Sequence, residues 1–207
     1  MCSVIAYSTE NKNEKEIELL KQLIIQSKIR GLHSFGVSYL EQGKIITKKQ
    51  FKLDVDELLK DFIKSSSTKL IYHNRYSTSG DYKDEKNNQP IQVENRALAM
   101  NGVLSMATKE EFEKEFNVKC ESDNDTEIFL RNNKPIIDTL IENPNASFAG
   151  VYLDDKKFYA LRNEKRPLYY FFFSNAKFVV STKDIARRAC FEEQINNIPI
   201  MTMLNLK

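Results

Sequence analysis

The chain has 207 residues, of which 41% are apolar and 29% are charged, and its net charge is +2. This length is enough for one large domain with a sizeable buried core. Basic and acidic residues nearly balance and are interspersed, so the sequence gives no electrostatic footprint for nucleic acid, and no direct nucleic-acid partner is predicted. No apolar stretch approaches the roughly 20 residues that span a bilayer, so no membrane partner is expected.

Cysteine and histidine are too few and too scattered to suggest a metal centre. The cysteines are Cys2, Cys120 and Cys190, and the histidines are His33 and His73. None of them shows the spacing of a zinc site, and three cysteines leave one unpaired in any disulfide scheme. The N-terminus also lacks the basic segment of a signal peptide. We predict a cytoplasmic protein in a reducing compartment, with no metal and no cofactor.

The first half of the chain alternates between strands and amphipathic helices. Apolar residues at spacings of three and four predict a helix over 14–29. Asp54 and Glu57 form a capping-box pattern at the start of a second helix, over 54–63. The polar segment 77–88 is expected to be a surface loop. Strands are expected at 2–7, 35–40, 45–51, 69–76 and 96–100.

The second half contains helices followed by paired strands. Residues 109–116 and 126–141 are expected to be helical, the latter with an interruption at Pro135. A last helix is expected over 182–190, capped by Thr182. The tail 191–207 is either a final strand packed on the core or an apolar contact for another subunit. Period-two alternation predicts four further strands, at 147–153, 157–162, 168–173 and 177–181.

Four short polar stretches lie at strand ends or helix starts, where polar groups can converge on a ligand. They are Cys2, the segment 73–80, Met100-Asn101-Gly102 and the segment 123–127. Each also has an ordinary interpretation. Cys2 is then a buried cysteine after a start codon, and Arg75 is a surface arginine. Asn101-Gly102 is then a turn with a positive φ that ends the strand 96–100, and Asp123, Asp125 or Thr126 is a helix cap.

Together and in this order, the four stretches resemble the class II glutamine amidotransferases, whose glutaminase domain uses an N-terminal nucleophile. The resemblance covers Cys2 to about Ser181. The matching pieces are Cys2 for the nucleophile, His73 to Gly80 for the His-x-Arg-Tyr/Trp-x-Thr-x-Gly motif, Asn101-Gly102 for the oxyanion pair and Asp125-Thr126-Glu127 for the Asp-Thr-Glu motif. Further matches are Arg30-Gly31 followed by a strand, Asn88-Gln89-Pro90 and the segment 161–168.

The resemblance implies a fold and a reaction. The fold is α+β, a four-layer αββα sandwich of the N-terminal-nucleophile hydrolases, in which two antiparallel sheets lie between outer helices and the first strand is inside a sheet. Residues 1–207 would form a single glutaminase domain. Removal of Met1 would free the amine of Cys2 as a base for its own thiol, which attacks the side-chain amide of L-glutamine and forms a thioester. Asn101 and Gly102 would stabilise the oxyanion.

The resemblance also assigns the groups that select the substrate. Arg75 offers a planar fork for the α-carboxylate of glutamine, and Asp125 offers a partner for its α-ammonium group. Tyr76 and Thr78 would line the same pocket, and Arg30 would order it. The thioester on the cysteine is then hydrolysed to glutamate.

The released ammonia implies a partner besides L-glutamine, namely a separate enzyme that accepts ammonia. By analogy, that enzyme would modify nucleobases or nucleotides. Association with a second copy of the chain stays open. Two alternative functions also stay open, a hydrolase of other γ-glutamyl amides or peptides with the same fold and a non-catalytic regulatory module. The second alternative predicts erosion of the site, whereas every matched residue type is present.

Overall fold

The computed structural model describes residues 1–77, 80–189 and 194–207, and within these ranges the backbone forms twelve strands and six helices. The strands are β1 (Ser3–Ser8), β2 (Ser34–Glu41), β3 (Lys44–Gln50), β4 (Lys69–Arg75), β5 (Ile91–Val93), β6 (Arg96–Val103), β7 (Ser147–Leu153), β8 (Phe158–Arg162), β9 (Tyr169–Phe173), β10 (Ala176–Val180), β11 (Asn196–Asn197) and β12 (Leu204–Asn205). The helices are α1 (Glu14–Ser27), α2 (Val55–Lys64), α3 (Lys109–Phe116), α4 (Ile128–Arg131), α5 (Ile136–Glu142) and α6 (Lys183–Arg188).

The strands form two antiparallel sheets. One has seven strands in the order β11-β9-β10-β1-β4-β2-β3, and the other has five in the order β12-β8-β7-β6-β5. Strand β1 lies inside the larger sheet, with Ile5 opposite Val180 on one side and opposite Tyr72 on the other. The expected interior position of the first strand is confirmed, and Cys2 therefore emerges from the middle of a sheet.

Three apolar layers hold four layers of secondary structure together. Helices α1, α2 and α6 pack on the outer face of the larger sheet, and α4 and α5 pack on the outer face of the smaller one. The space between the sheets is filled largely by small or branched side chains, including Ala6, Ala97, Ala99, Ala149 and Val151. The predicted αββα sandwich of two sheets flanked by helices is confirmed, and the small side chains let the sheets approach each other closely.

The start of α2 shows where the local sequence determines a helix cap and where it does not. Asp54 caps α2 as predicted, because its carboxylate accepts the N–H of Glu57 at 3.0 Å. The rest of the predicted capping box is wrong, since the Glu57 carboxylate binds Lys48 and the Asp54 N–H is taken by the side chain of Gln50. Competition from a neighbouring strand therefore overrides a local pattern.

The segment 126–141 is interrupted before Pro135, as expected. It consists of a 3₁₀ turn at Asp125–Glu127 followed by α4 and α5. The cap is Asn124, whose side chain accepts the N–H of Thr126 at 3.0 Å, so none of the three candidate caps was right. Strand β5 lies in a stretch to which the sequence assigned no strand.

The C-terminal tail packs on the body of the protein. Its strand β11 pairs with β9 and its strand β12 pairs with β8. Ile198 and Leu206 are buried between the sheets, which confirms the interpretation of the tail as strand packed on the core. The predicted end of the last helix, Cys190, lies outside the described residues. In the described part of the chain, no helix is long and apolar enough to cross a membrane.

Candidate active site

The alternation of side chains along three strands brings predicted site residues to one end of the space between the sheets. Every second residue of a strand faces the same side. The inward-facing series end at Cys2, just before β1, at His73 and Arg75 on β4 and at Asn101 on β6. The other members of these series lie in the layer between the sheets and include Val4, Ala6, Ile71, Ala97 and Ala99.

The thiol of Cys2 lies against the backbone of Tyr76. The Tyr76 N–H donates to Sγ at 3.4 Å, and Sγ is 3.6 Å from the Tyr76 carbonyl oxygen. Burial raises the pKa of the Cys2 thiol, although the Tyr76 backbone and the positive charges of the N-terminus, Arg75 and Arg30 oppose the rise. Activation of this thiol at neutral pH therefore needs a base close to the sulfur.

Residue 1 lies beside the site between two arginines. Arg30 Nη2 is 3.8 Å and Arg166 Nη1 is 3.6 Å from the Met1 sulfur, and the Met1 side chain is largely exposed. Arg30 also donates from Nε to the carbonyl oxygen of Cys2 at 2.8 Å. The structure thus places Arg30 against the backbone of Cys2, where its hydrogen bond holds the N-terminal segment.

Arg75 is buried at the end of β4, with only 3% of its surface exposed. Its guanidinium donates to the Asn88 side-chain oxygen at 2.8 Å and to the Gly80 carbonyl at 3.3 Å. Burial lowers its pKa, whereas the thiol of Cys2 and the carboxylates of Asp81 and Asp125 favour the charged form. The interpretation of Arg75 as a surface arginine is therefore wrong, because its side chain is buried and hydrogen-bonded. The sequence did not predict its contact with Asn88.

The carboxylate of Asp125 lies at the end of β6, just past the strand that carries Asn101. Its Oδ2 accepts the backbone N–H groups of Leu104 at 2.5 Å and Ser105 at 3.0 Å. Burial raises the pKa of Asp125, and these two backbone donors oppose the rise. Asp125 is therefore anchored to the strand end by its own carboxylate.

Asn101 and Gly102 lie within β6, and the expectation of a turn is wrong. The strand runs on to Val103, and Gly102 has no positive φ. Glycine is needed for another reason, because a Cβ at this position would lie 2.0 Å from the Ser147 carbonyl oxygen of β7. The Nδ2 group of Asn101 is buried and has no hydrogen-bond partner within the described part of the chain.

The register of β6 determines where the Gly102 N–H points. In an antiparallel pair, the N–H and C=O groups of successive residues point to opposite sides. Val103 donates its N–H to the Ser147 side chain on β7, so Gly102 directs its N–H to the opposite edge. A backbone donor and the Asn101 amide therefore lie next to each other on β6, as an oxyanion hole requires.

Tyr76 and Thr78 are the other two residues that were predicted to line the pocket. The ring of Tyr76 is half exposed and stacks on His33, with ring centroids 5.2 Å apart. The structure therefore brings the backbone of Tyr76 into contact with Cys2, while its ring packs against His33. Thr78 lies outside the described residues.

The pH dependence of stability gives a first test of this site. Burial lowers the pKa of His73 from 6.5 to about 3. Below pH 6.5 the unfolded chain therefore binds a proton that the folded chain does not, and stability falls by about 1.4 kcal/mol per pH unit. We expect urea unfolding of wild type to lose about 2 kcal/mol more than His73→Gln between pH 6.5 and pH 5. Equal losses in both proteins would contradict a neutral, buried His73.

Comparison with solved structures agrees with the observed architecture. The chain is similar to glutamine phosphoribosylpyrophosphate (PRPP) amidotransferase from B. subtilis in complex with ADP and GMP, with 18% identity, a TM-score of 0.69, and coverage of 95% of this chain and 44% of that one. A structure described as the allosteric regulatory enzyme of purine biosynthesis gives 19% identity, a TM-score of 0.67 and coverage of 95% and 44%. A glutamine aminotransferase class-II domain protein from Silicibacter pomeroyi gives 14% identity, a TM-score of 0.57 and coverage of 87% and 88%.

These similarities show the fold of the class II glutamine amidotransferase domain. The chain spans less than half the length of the first two structures, which therefore contain further segments. No protein-family model and no curated protein sequence matches the chain.

Proposed function

We propose that the chain is a glutaminase that hydrolyses the side-chain amide of L-glutamine and uses Cys2 as an N-terminal nucleophile. The observation that carries the proposal is the convergence of five groups at one end of the sheet sandwich, those of Cys2, Arg75, Asp125, Asn101 and Gly102. The positive charge of Arg75 opposes the rise in the pKa of the Cys2 thiol, and the carboxylate of Asp125 favours the charged form of Arg75, so the three groups lie near one another. Asn101 and Gly102 add two hydrogen-bond donors on the facing sheet.

The first half of the reaction needs the free amine of Cys2. After removal of Met1, this amine takes the thiol proton, and Sγ bonds to the side-chain carbonyl carbon of glutamine. The carbonyl oxygen becomes an oxyanion that Asn101 Nδ2 and the Gly102 N–H stabilise. The C–N bond then breaks, the amine returns the proton to the departing nitrogen, and ammonia leaves a γ-glutamyl thioester on Cys2.

The second half uses water. The Cys2 amine accepts a proton from a water molecule whose oxygen attacks the thioester carbon, and the same two donors stabilise the new oxyanion. The C–S bond breaks, the thiol is restored, and glutamate is released. Each proton that the amine accepts is returned within the cycle. The proposed mechanism uses only groups of the protein, glutamine and water.

Substrate selection follows from charge. Free glutamine has a carboxylate and an ammonium group on its α-carbon, and Arg75 and Asp125 supply the opposite charges. Both side chains are buried, so their interactions with the substrate are weakly screened by solvent. Release of ammonia into water would convert it to ammonium, which is not a nucleophile. We therefore also propose that a separate acceptor enzyme uses the ammonia.

The decisive experiment measures glutamate release from L-glutamine by wild type and by Cys2→Ala. Wild type should release glutamate, and the variant should release none. Equal release by both proteins would rule out Cys2 as the nucleophile. Release by wild type only from γ-glutamyl amides or peptides would favour the alternative hydrolase function, and no release from any of them would favour the non-catalytic module.

The state of Met1 gives a further prediction. Because burial raises the thiol pKa, the thiol of a chain that retains Met1 should react slowly at pH 7, and its alkylation by iodoacetamide should quicken about tenfold per pH unit up to pH 9. Intact mass should show loss of Met1 from the active protein. A protein with an N-terminal extension that blocks processing serves as the control, and it should release no glutamate. Full activity of the blocked protein would contradict the role of the free amine.

A further inference from the structure

The backbone N–H and C=O of Met100, directly before Asn101, are hydrogen-bonded by side chains at an edge of β6. The last paired residues of β5 and β6 are Ile91 and Leu98. The next position on the same edge of β6 is Met100, which lies beyond the start of β5 and pairs with no strand of the described residues there. Two buried side chains take the place of the missing strand.

The side chain of Gln89 accepts the Met100 N–H at Oε1, with a distance of 2.6 Å. The imidazole of His73 lies with Nε2 at 3.2 Å from the Met100 carbonyl oxygen. A carbonyl oxygen can only accept, so Nε2 carries the proton and donates. Both side chains are almost fully buried, which makes these two hydrogen bonds strong and costly to lose.

The bond from His73 joins the two sheets. His73 lies on β4 of the larger sheet, opposite Val4 of β1 and two residues before Arg75. Met100 lies on β6 of the smaller sheet, and Gly102 directs its N–H to the same edge as Met100. The bond therefore connects the sheet that carries the nucleophile to the strand edge that carries the oxyanion donor.

We infer that His73 and Gln89 are positioning residues, which fix the edge of β6 so that Asn101 and Gly102 meet the oxyanion formed on Cys2. This inference rests on the proposed glutaminase function. Neither side chain touches the substrate in this role. Their effect should therefore appear in the transition state, where the oxyanion exists, and not in the binding of glutamine.

The test compares His73→Leu, which removes the donor, with His73→Gln, whose side-chain N–H reaches a similar distance. We expect His73→Leu to lower kcat about 10- to 100-fold with KM changed less than about threefold, and His73→Gln to recover most of kcat. Gln89→Leu should show the same split independently, which keeps the inference testable if one variant does not fold. Phe62→Leu, a change in the distant helical core, is the control for destabilisation and should leave kcat unchanged.

Amide hydrogen exchange without substrate gives a second measurement. The Met100 amide should exchange faster in His73→Leu and Gln89→Leu than in wild type, Phe62→Leu and His73→Gln. Unchanged kcat in folded His73→Leu and Gln89→Leu, or an equal loss of kcat in Phe62→Leu, would overturn the inference. If wild type released no glutamate, the proposed function would fail by itself. If the Met100 amide then exchanged at the wild-type rate in both leucine variants, the inference that His73 and Gln89 fix the backbone of Met100 would be overturned as well.

Discussion

Gly102→Ala is expected to lower kcat about 10²- to 10³-fold while the thiol of Cys2 keeps its reactivity. A Cβ at this position would lie 2.0 Å from the Ser147 carbonyl oxygen and 2.9 Å from its carbonyl carbon, and both are backbone atoms that cannot turn aside. Strands β6 and β7 must therefore separate locally, which moves the Gly102 N–H away from the oxyanion. Loss of one oxyanion donor typically costs this much in rate.

Two measurements on the same variant separate the oxyanion from the nucleophile. Glutamate release reports the transition state, and alkylation of Cys2 by iodoacetamide proceeds without an oxyanion. We expect the first rate to collapse and the second to stay within about twofold of wild type. If Gly102→Ala retained wild-type kcat, Gly102 would not be an oxyanion donor. If both rates fell together, the variant would have disturbed the site as a whole.

Gly102 also shows a limit of prediction from the sequence alone. An Asn-Gly pair has a high local propensity for a turn, and the sequence therefore predicts one. The structure places the pair in a strand because Ser147, from a distant part of the chain, approaches the Gly102 backbone too closely for any side chain. Contacts of this kind depend on the pairing of two strands and leave no local trace in the sequence.

Other features of the fold and the site can also be sorted by whether the local sequence predicts them. The sequence could predict that Cys2, Arg75 and Asn101 lie at strand ends, but both faces of these strands are buried, so no period-two pattern in the sequence shows which side chains share a face. Strand β5 has three residues and is too short for such a pattern to be recognised. The cap at Asn124 competes with several polar neighbours of similar propensity, so only the observed hydrogen bond identifies it. The contact of Asn88 with Arg75 joins a loop to a strand end, and neither local sequence specifies it.

Arg75→Lys is expected to raise KM for glutamine about 10- to 100-fold and to affect kcat less. Lysine keeps the positive charge but offers a point donor in place of a planar fork, so it cannot form two parallel hydrogen bonds with a carboxylate. Hydrogen bonds to a charged group contribute about 1.5–3 kcal/mol, which corresponds to the expected change in KM. Steady-state kinetics of glutamate release at saturating and limiting glutamine measures both constants.

Arg75 also holds the loop through Asn88 and Gly80, so binding must be separated from structure. Asn88→Ala removes the loop contact and leaves the guanidinium in place. If Arg75 recognises the substrate directly, Asn88→Ala should raise KM less than Arg75→Lys does. Arg131→Lys, at a partly buried arginine paired with Glu121 and Glu127, is the matched control and should leave KM unchanged. An equal rise of KM in Asn88→Ala and Arg75→Lys would mean that Arg75 organises the loop and that another group binds the carboxylate.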